Sequence, residues 1–341
     1  MDPKALLPIA LYDGDTLSQD DARELMSSLL GGAFSESEMS ELLTVLHERG
    51  ETAAELAGFS AAMRAAALRV PLTDAERDVL VDTCGTGGDG SGTFNISTAV
   101  ALVSAASGAK VAKHGNRAVT SRSGSADVLG ALGVATEQTP DEAATALRRH
   151  GFAFLLAPRM HPAMKIVAPV RRALPFRTVF NLLGPMTNPA GARRQVIGVY
   201  STEAVSLVSE ALAAGGHMEH ALVVHGAGGM DELSLSGESL VAQVRGTELT
   251  TFTVTPEDAG LTRSNDALSG GDAVENAAIL RGIFAGERGP RRDIVLLNAA
   301  AVLKVAGLVE DLKAGVSLAA EAIDSGRVIS LVDALAGDAR C

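Results

Sequence analysis

From residue 78 onward the chain alternates short apolar runs with helical stretches. The runs Asp78 to Thr83, Ala109 to His114, Phe152 to Ala157, Val196 to Tyr200 and Ala221 to His225 are each five or six residues long. Between them lie segments such as Ile96 to Ser107, Pro140 to Arg149 and Glu203 to Ala214, whose apolar positions recur at helical spacing. Strands joined through helices run parallel, because a parallel pair needs a long crossover, and the helices then cover both faces of the sheet. Leu233 to Thr255 reads as short antiparallel strands, which makes the sheet mixed. Asp272 to Leu280 and Ile294 to Ala306 read as further helices.

The first 75 residues follow another pattern. Ala22-Leu25-Met26-Leu29-Leu30 and Met39-Leu42-Leu43-Leu46 are helical stripes with almost no β-branched alternation, and Asp20 and Ser35 are the expected N-caps, the latter with Glu38 completing a capping box. The expected organisation is a small helical domain over 1–75 and a large α/β domain over 76–341. The segment Pro158 to Pro189, rich in proline and basic residues and without an evident strand, is expected to return to the helical domain near 160–190.

With 47% hydrophobic residues over 341 positions, yet no uninterrupted apolar run of membrane-spanning length, the chain reads as globular and soluble. The N-terminus lacks the basic and apolar regions of a secretory signal, and Cys84 and Cys341 supply neither a disulfide framework nor a metal-ligand spacing, so a reducing cytoplasm is expected. A net charge of −12 argues against a general nucleic-acid binder. The charge is nonetheless uneven: residues 90–202 hold 13 basic and 4 acidic side chains, a net of +9, so the remainder carries −21. That distribution suits a small polyanion bound internally. Arg148, Arg149, Arg193 and Arg194 are read instead as decorating solvated faces.

The stretch Gly85-Thr-Gly87-Gly-Asp-Gly90 follows a strand, precedes a helix and matches G-x-G-x-x-G. A dinucleotide site requires an acid at the end of the next strand to hold a ribose, and Lys113-His-Gly-Asn-Arg117 stands there instead. A Walker A reading fails because no Gly-Lys-Ser/Thr closes the loop. Glycines admit an anion close to backbone N–H groups, and a helix N-terminus adds donors and positive dipole. Together with Thr93, Asn95, Ser97, Thr98, Lys113 and Arg117 they suit a ligand with several phosphates. Asp89 needs a partner of its own: a metal-bound water, a donor on the sugar or pyrophosphate side, or simply a backbone N–H of the loop. Asp231-Glu232, on the glycine-rich stretch after Ala221 to His225, is either a solvated pair or a set of hard oxygen ligands for Mg²⁺.

Several motifs occur in one order: Gly85-Thr-Gly-Gly-Asp89, Asn95-Ile-Ser-Thr98, Lys113-His-Gly-Asn-Arg-Ala-Val119, Ser123-Gly-Ser-Ala-Asp-Val-Leu129, His161-Pro-Ala-Met-Lys165, Arg177-Thr-Val-Phe-Asn-Leu-Leu-Gly-Pro185 and Gly229-Met-Asp-Glu-Leu-Ser234. With Arg49-Gly-Glu-Thr52 and Leu296-Leu-Asn-Ala-Ala300 at the two ends, the chain closely resembles the anthranilate phosphoribosyltransferase family over nearly its whole length. The resemblance implies a cytoplasmic homodimer with a fold akin to nucleoside phosphorylases: a helical domain, a hinge and a large α/β domain. It implies transfer of the phosphoribosyl group of 5-phosphoribosyl 1-diphosphate (PRPP) to the amino group of anthranilate, with Mg²⁺, two ions per subunit, and release of pyrophosphate in tryptophan biosynthesis. By the resemblance, PRPP is held by Gly85, Gly88, Asp89, Thr93, Asn95, Ile96, Ser97, Thr98, Lys113, His114, Gly115, Asn116, Arg117, Ala118, Val119, Thr120, Ser121 and Ser125. Anthranilate is met by Gly85, Asn116 and Arg171, and the metal by Ser97, Asp231 and Glu232. Neither a nucleic acid nor a membrane is an expected partner.

No covalent nucleophile is needed, since the anthranilate amine has a usable lone pair at neutral pH. Cys84 is expected to be a small buried strand residue, and His114 and His161 are either ligand contacts or structural hydrogen-bonding groups. Thr120 and Arg122 stand where the family more often has Ser and Lys, Gly130 replaces a usual Glu, and Gly228 stands where an Asp is frequent. Two other functions fit parts of the sequence: a pyrimidine nucleoside phosphorylase, which would not need the Asp231-Glu232 loop, and a non-catalytic relative that binds nucleic acid.

Overall fold

A computed structural model describes residues 16–118 and 122–339. Helices α1 (Gln19–Leu30), α2 (Glu36–Arg49) and α3 (Ala53–Ala66) come first, followed by the short α4 (Asp74–Asp78). The N-cap of α1 is Ser18, whose side chain accepts from the Asp21 amide, rather than the expected Asp20, which sits inside the first turn where its charge suits the helix dipole. Ser35 and Glu38 form the expected capping box on α2. Thr52 and Glu55 form another on α3, and the fully buried Glu55 carboxylate also takes the Leu17 amide at 3.0 Å and Arg49 Nη2 at 2.7 Å.

The sheet is built from β1 (Leu80–Gly85), β2 (Lys110–Gly115), β3 (Phe152–Leu156), β4 (Arg194–Gly198), β5 (His220–His225), β6 (Ser239–Arg245) and β7 (Glu248–Val254). Their order across the sheet is β3-β2-β1-β4-β5-β6-β7. The first five in this order are parallel, and β6 and β7 are antiparallel additions at one edge. Between strands run α5 (Ile96–Ala106), α6 (Ser125–Ala131), α7 (Pro140–His150), α8 (Ala157–Met160), α9 (Met164–Ala173), α10 (Phe180–Leu183) and α11 (Thr202–Gly215). The chain ends with α12 (Ala273–Phe284), α13 (Pro290–Val305), α14 (Leu312–Asp324) and α15 (Arg327–Asp338).

Alternate residues of each strand point to opposite faces. Val81, Val111, Val196, Leu222, Val224 and Val241 join the core under α5, α13 and α14. On the opposite face, Leu80, Ala112 and Ala153 meet α7, while Ile197, Val223 and Val244 meet α11. The latter core continues without a break into the helical unit: Leu25, Leu43, Leu46 and Phe59 cluster with Val205 and Leu212 of α11. It also takes Val167 and Val170 of α9 and Phe180 of α10, so the segment around 164–183 packs against α1 to α3.

The chain leaves β1 toward β2 and β3, then returns to place β4 on the other side of β1. A crevice at the carboxyl ends of the strands opens where strand order reverses in this way. Gly85 pairs in register with Gly198, so both strands end at the same level there. Among the described residues no helix is long and apolar enough to cross a membrane.

Candidate active site

Three loops meet above the β1/β4 crevice, after β1, β2 and β5. In the first, Gly87, Gly88, Gly90 and Gly92 have φ of +68°, +74°, +73° and +64°, a region costly for residues with a Cβ. α5 then opens with Asn95 as N-cap, but the Asn95 side chain makes no cap bond. Its Oδ1 takes Asn276 Nδ2 at 2.8 Å and its Nδ2 donates to Ser123 O at 3.1 Å, tying the first loop to the second. The Ile96 side chain is buried in the core, Thr98 is buried with a hydroxyl lacking a partner among the described residues, and Thr93 forms an isolated bridge with Ser269.

Asp89 has found partners. Its Oδ1 accepts from the Ser91 amide at 3.1 Å and its Oδ2 from the Asp231 amide at 3.4 Å. The carboxylate thus closes its own loop and reaches the third loop as well.

That third loop, 226–234, can lie where it does because three strand-end residues lack side chains. A Cβ on Gly85 would overlap the Asp231 carboxylate, one on Gly198 the Asp231 carbonyl oxygen, and one on Gly226 the Glu232 carbonyl oxygen. Asp231 Oδ2 accepts from the Gly87 amide at 2.9 Å. Glu232 takes a backbone hydrogen bond from Ser97 at the start of α5. Asp89, Asp231 and Glu232 therefore face one another. Burial, and then the Asp89 charge, raise the Asp231 carboxyl to about 6, and burial followed by the Asp231 charge pushes Glu232 well above the carboxylate range. Such mutual repulsion is relieved by a cation. Among the described residues no three His, Cys, Asp or Glu side chains form a closed metal site. Mg²⁺ does not require one, since it is commonly held by one or two carboxylates with waters and substrate phosphates. The oxygen-only set of Asp231, Glu232 and the Ser97 hydroxyl fits it.

Lys113, 1% exposed, points beneath the glycine loop, where Nζ donates to Thr83 O at 2.6 Å and to Ser97 Oγ at 3.2 Å. Burial lowers its pKa, against the opposing pull of the nearby Asp82, Glu232 and Asp231 charges. His114 is also buried: its amide donates to Asp82 Oδ1 at 3.1 Å, and its Nδ1 lies 3.1 Å from Gly184 O, which fixes the proton on Nδ1. The His161 ring is 5.1 Å away, and Nε2 of both imidazoles is buried without a partner among the described residues. Burial brings His114 to about 3 and His161 to about 4, so both rings are neutral at physiological pH.

In the second loop, Asn116 Oδ1 accepts from the Arg117 amide at 2.8 Å. The Arg117 guanidinium turns to Glu137 at 2.9 Å and Asp127 at 3.5 Å. Asp127 Oδ2 also gathers the amides of Ala118 at 2.8 Å and Gly124 at 2.9 Å, and Ser125 opens α6, with Gly115 close beneath it. Val119, Thr120 and Ser121 lie outside the described residues. Arg171, on α9, lies 5.0 Å over the Phe180 ring, and burial lowers its pKa. No hydrogen bond joins it to Gly85 or Asn116 among the described residues.

Asp82, Asn188, Tyr200 and Asn276 were not singled out from sequence. Asp82 Oδ2 takes Asn188 Nδ2 at 2.8 Å beneath the Lys113-His114 strand end. Arg177 donates to Gly88 O and stacks 4.2 Å over the Tyr200 ring. Asn276 is the partner of Asn95 described above. Cys84 lies on β1 as expected but is half-buried rather than buried, its Sγ 3.7 Å from Asp82, because the strand end opens into the crevice. Arg148, Arg149 and Arg193 decorate the outside, paired with Glu76, Asp338 and Asp78, whereas Arg194 departs from that expectation: its guanidinium is half-buried and donates to Val305 O and Asp78 O as well as to Glu219. A cavity of about 250 Å³ bordered by Ile283 and Arg292 shares no residue with the three loops.

Residues 77–329 match a glycosyl transferase family model for an a/b domain, and 9–67 match its helical bundle counterpart. The anthranilate phosphoribosyltransferase of Rubrobacter xylanophilus is 48% identical over 322 residues, covering 94% of this chain and 93% of that one. The chain belongs to the anthranilate phosphoribosyltransferase family. A crystal structure of the family's enzyme from Thermus thermophilus superposes with a TM-score of 0.91 at 45% identity, covering 98% and 99% of the two chains. The anthranilate phosphoribosyltransferase of Saccharomyces cerevisiae, in complex with PRPP and Mg, gives a TM-score of 0.88 at 28% identity, covering 99% and 98%.

Proposed function

We propose that this protein transfers the phosphoribosyl group of PRPP to the amino group of anthranilate, giving N-(5-phosphoribosyl)anthranilate and pyrophosphate. The observation that carries this reading is the meeting of Asp231, Glu232 and Asp89 over a positive-φ glycine loop at the strand-order reversal. Ser97, Asp231 and Glu232 hold Mg²⁺, two ions per subunit. When bound, Mg²⁺ neutralises the charge that builds on the departing pyrophosphate. The chain's own residues bind and orient. The glycines 85 and 88 let backbone approach the diphosphate, and Thr93, Asn95 to Thr98, Lys113 to Ser121 and Ser125 complete its cradle. Asp89 orders that cradle by holding the Ser91 and Asp231 amides.

Arg171 offers two parallel donors to the anthranilate carboxylate, with Gly85 and Asn116 beside it. The amine attacks with its own lone pair, so no side chain has to be the nucleophile. The Cys84 thiol, raised by burial and by the Asp82 charge, stays protonated and suits none. The reading includes a cytoplasmic homodimer whose subunits divide into a helical domain over 1–75, with the return segment near 160–190, and a large domain over 76–341.

Pyrophosphate release tests it: release should require anthranilate, PRPP and Mg²⁺ together and stop with EDTA. Phosphorolysis of a pyrimidine nucleoside without Mg²⁺ would favour a phosphorylase instead.

A further inference from the structure

Asn298, on α13, is 1% exposed, and its amide uses both donor hydrogens and accepts one bond. Oδ1 accepts from the Leu233 amide at 2.8 Å, and Nδ2 donates to Leu233 O at 2.9 Å and to Ile294 O at 2.9 Å. Leu233, itself 1% exposed, directly follows Glu232. One side chain on a rigid, buried helix thus grips both polar groups of a single backbone residue, as a neighbouring strand would. The next amide, Ser234, is held by Ser239 Oγ at 2.9 Å. On their other side the two carboxylates are met by the Gly87 and Ser97 amides, from the first loop and the helix start that follows it.

We propose that Asn298 is the positioning residue of the Asp231-Glu232 loop, holding the two carboxyl groups side by side before any cation arrives. The proposal rests on the metal reading above. Without the Asn298 amide, the Leu233 N–H and C=O are buried unpaired, and the loop must either open to water or shift. A partner that orients a metal-ligating carboxylate commonly tells on metal affinity by about 10–100-fold when removed.

Mn²⁺ alone, followed by electron paramagnetic resonance, serves as the probe. Asn298→Ala should weaken Mn²⁺ binding by about 10–100-fold and raise the half-saturating Mg²⁺ concentration in parallel, with the anthranilate KM changed less than about twofold. Asn298→Ser, which keeps one hydrogen-bonding group, should fall between. In the wild-type chain, the Leu233 amide should stay protected from hydrogen exchange in EDTA. Folded Asn298→Ala that binds Mn²⁺ like wild type overturns the proposal, as does a Leu233 amide that exchanges at exposed-loop rates in EDTA. The exchange measurement decides the matter if the variants do not fold. Wild type that binds no Mn²⁺, alone or with PRPP present, would overturn the metal reading and the proposal together, which separates the two failures.

Discussion

The amide of Gly87 donates to Oδ2 of Asp231 across 2.9 Å, joining two loops whose residues are 144 positions apart. This bond sits directly over Gly85 and Gly198, the paired last residues of β1 and β4, and it exists only because neither carries a Cβ.

Gly198→Ala should therefore be severe although the residue makes no ligand contact of its own. The new methyl would overlap backbone, the Asp231 carbonyl oxygen, which cannot swing aside as a flexible side chain would. A displacement of about 1 Å at reacting groups costs on the order of 100-fold, so kcat/KM should fall by roughly that much. Steady-state kinetics at saturating Mg²⁺, with circular dichroism to verify folding, checks it.

Replacing the carboxylates by their amides separates their two effects. Asp231→Asn with Glu232→Gln removes two buried carboxyl groups whose ionisation burial and mutual repulsion oppose. The metal-free protein should unfold about 2 °C or more above wild type, yet the upward shift that Mg²⁺ gives wild type should vanish. Thermal unfolding with EDTA and with Mg²⁺ reads both.

Arg171 has a half-buried guanidinium over Phe180. Losing a charge-assisted pair with a carboxylate costs about 1.5–3 kcal/mol, so Arg171→Ala should raise the anthranilate KM by roughly 10–100-fold and leave the PRPP KM nearly unchanged. Equal changes in both constants would place Arg171 elsewhere.

The paired imidazoles set a pH dependence. His114 and His161, at about 3 and about 4, lie below the ordinary 6.5, so the unfolded chain takes up protons that the folded one refuses. Their contribution is complete above pH 6.5 and is lost as pH falls from there, toward about 4 for His161 and about 3 for His114. By pH 5 each should have removed about 2 kcal/mol of stability. His161→Gln should flatten the fall in denaturant midpoint between pH 7 and 5, and nuclear magnetic resonance should show neither ring titrating above pH 5.

Much of this architecture is visible in the chain itself, because parallel strands buried on both faces are near-continuous apolar runs and their connecting helices carry ordinary caps. β4 begins two residues earlier than its apolar run, since Arg194 and Gln195 are paired across to Val81 and Asp82. The glycine loop and the two carboxylates were legible as motifs. Their supports were not. Asn298 lies 65 residues from Leu233, and Asn276 lies 181 from Asn95. Each is a buried polar residue on a helix, and only the fold supplies its partner. The direction of Lys113, beneath the loop toward Thr83 and Ser97, likewise follows from strand neighbours rather than spacing.

Anthranilate is fluorescent, and its phosphoribosylated product can be followed by the loss of that signal. Mixing the protein with anthranilate, PRPP and Mg²⁺ should extinguish the fluorescence at a rate proportional to enzyme, and omitting PRPP or adding EDTA should hold it constant. Fluorescence that stays constant with all components present would contradict the proposed function.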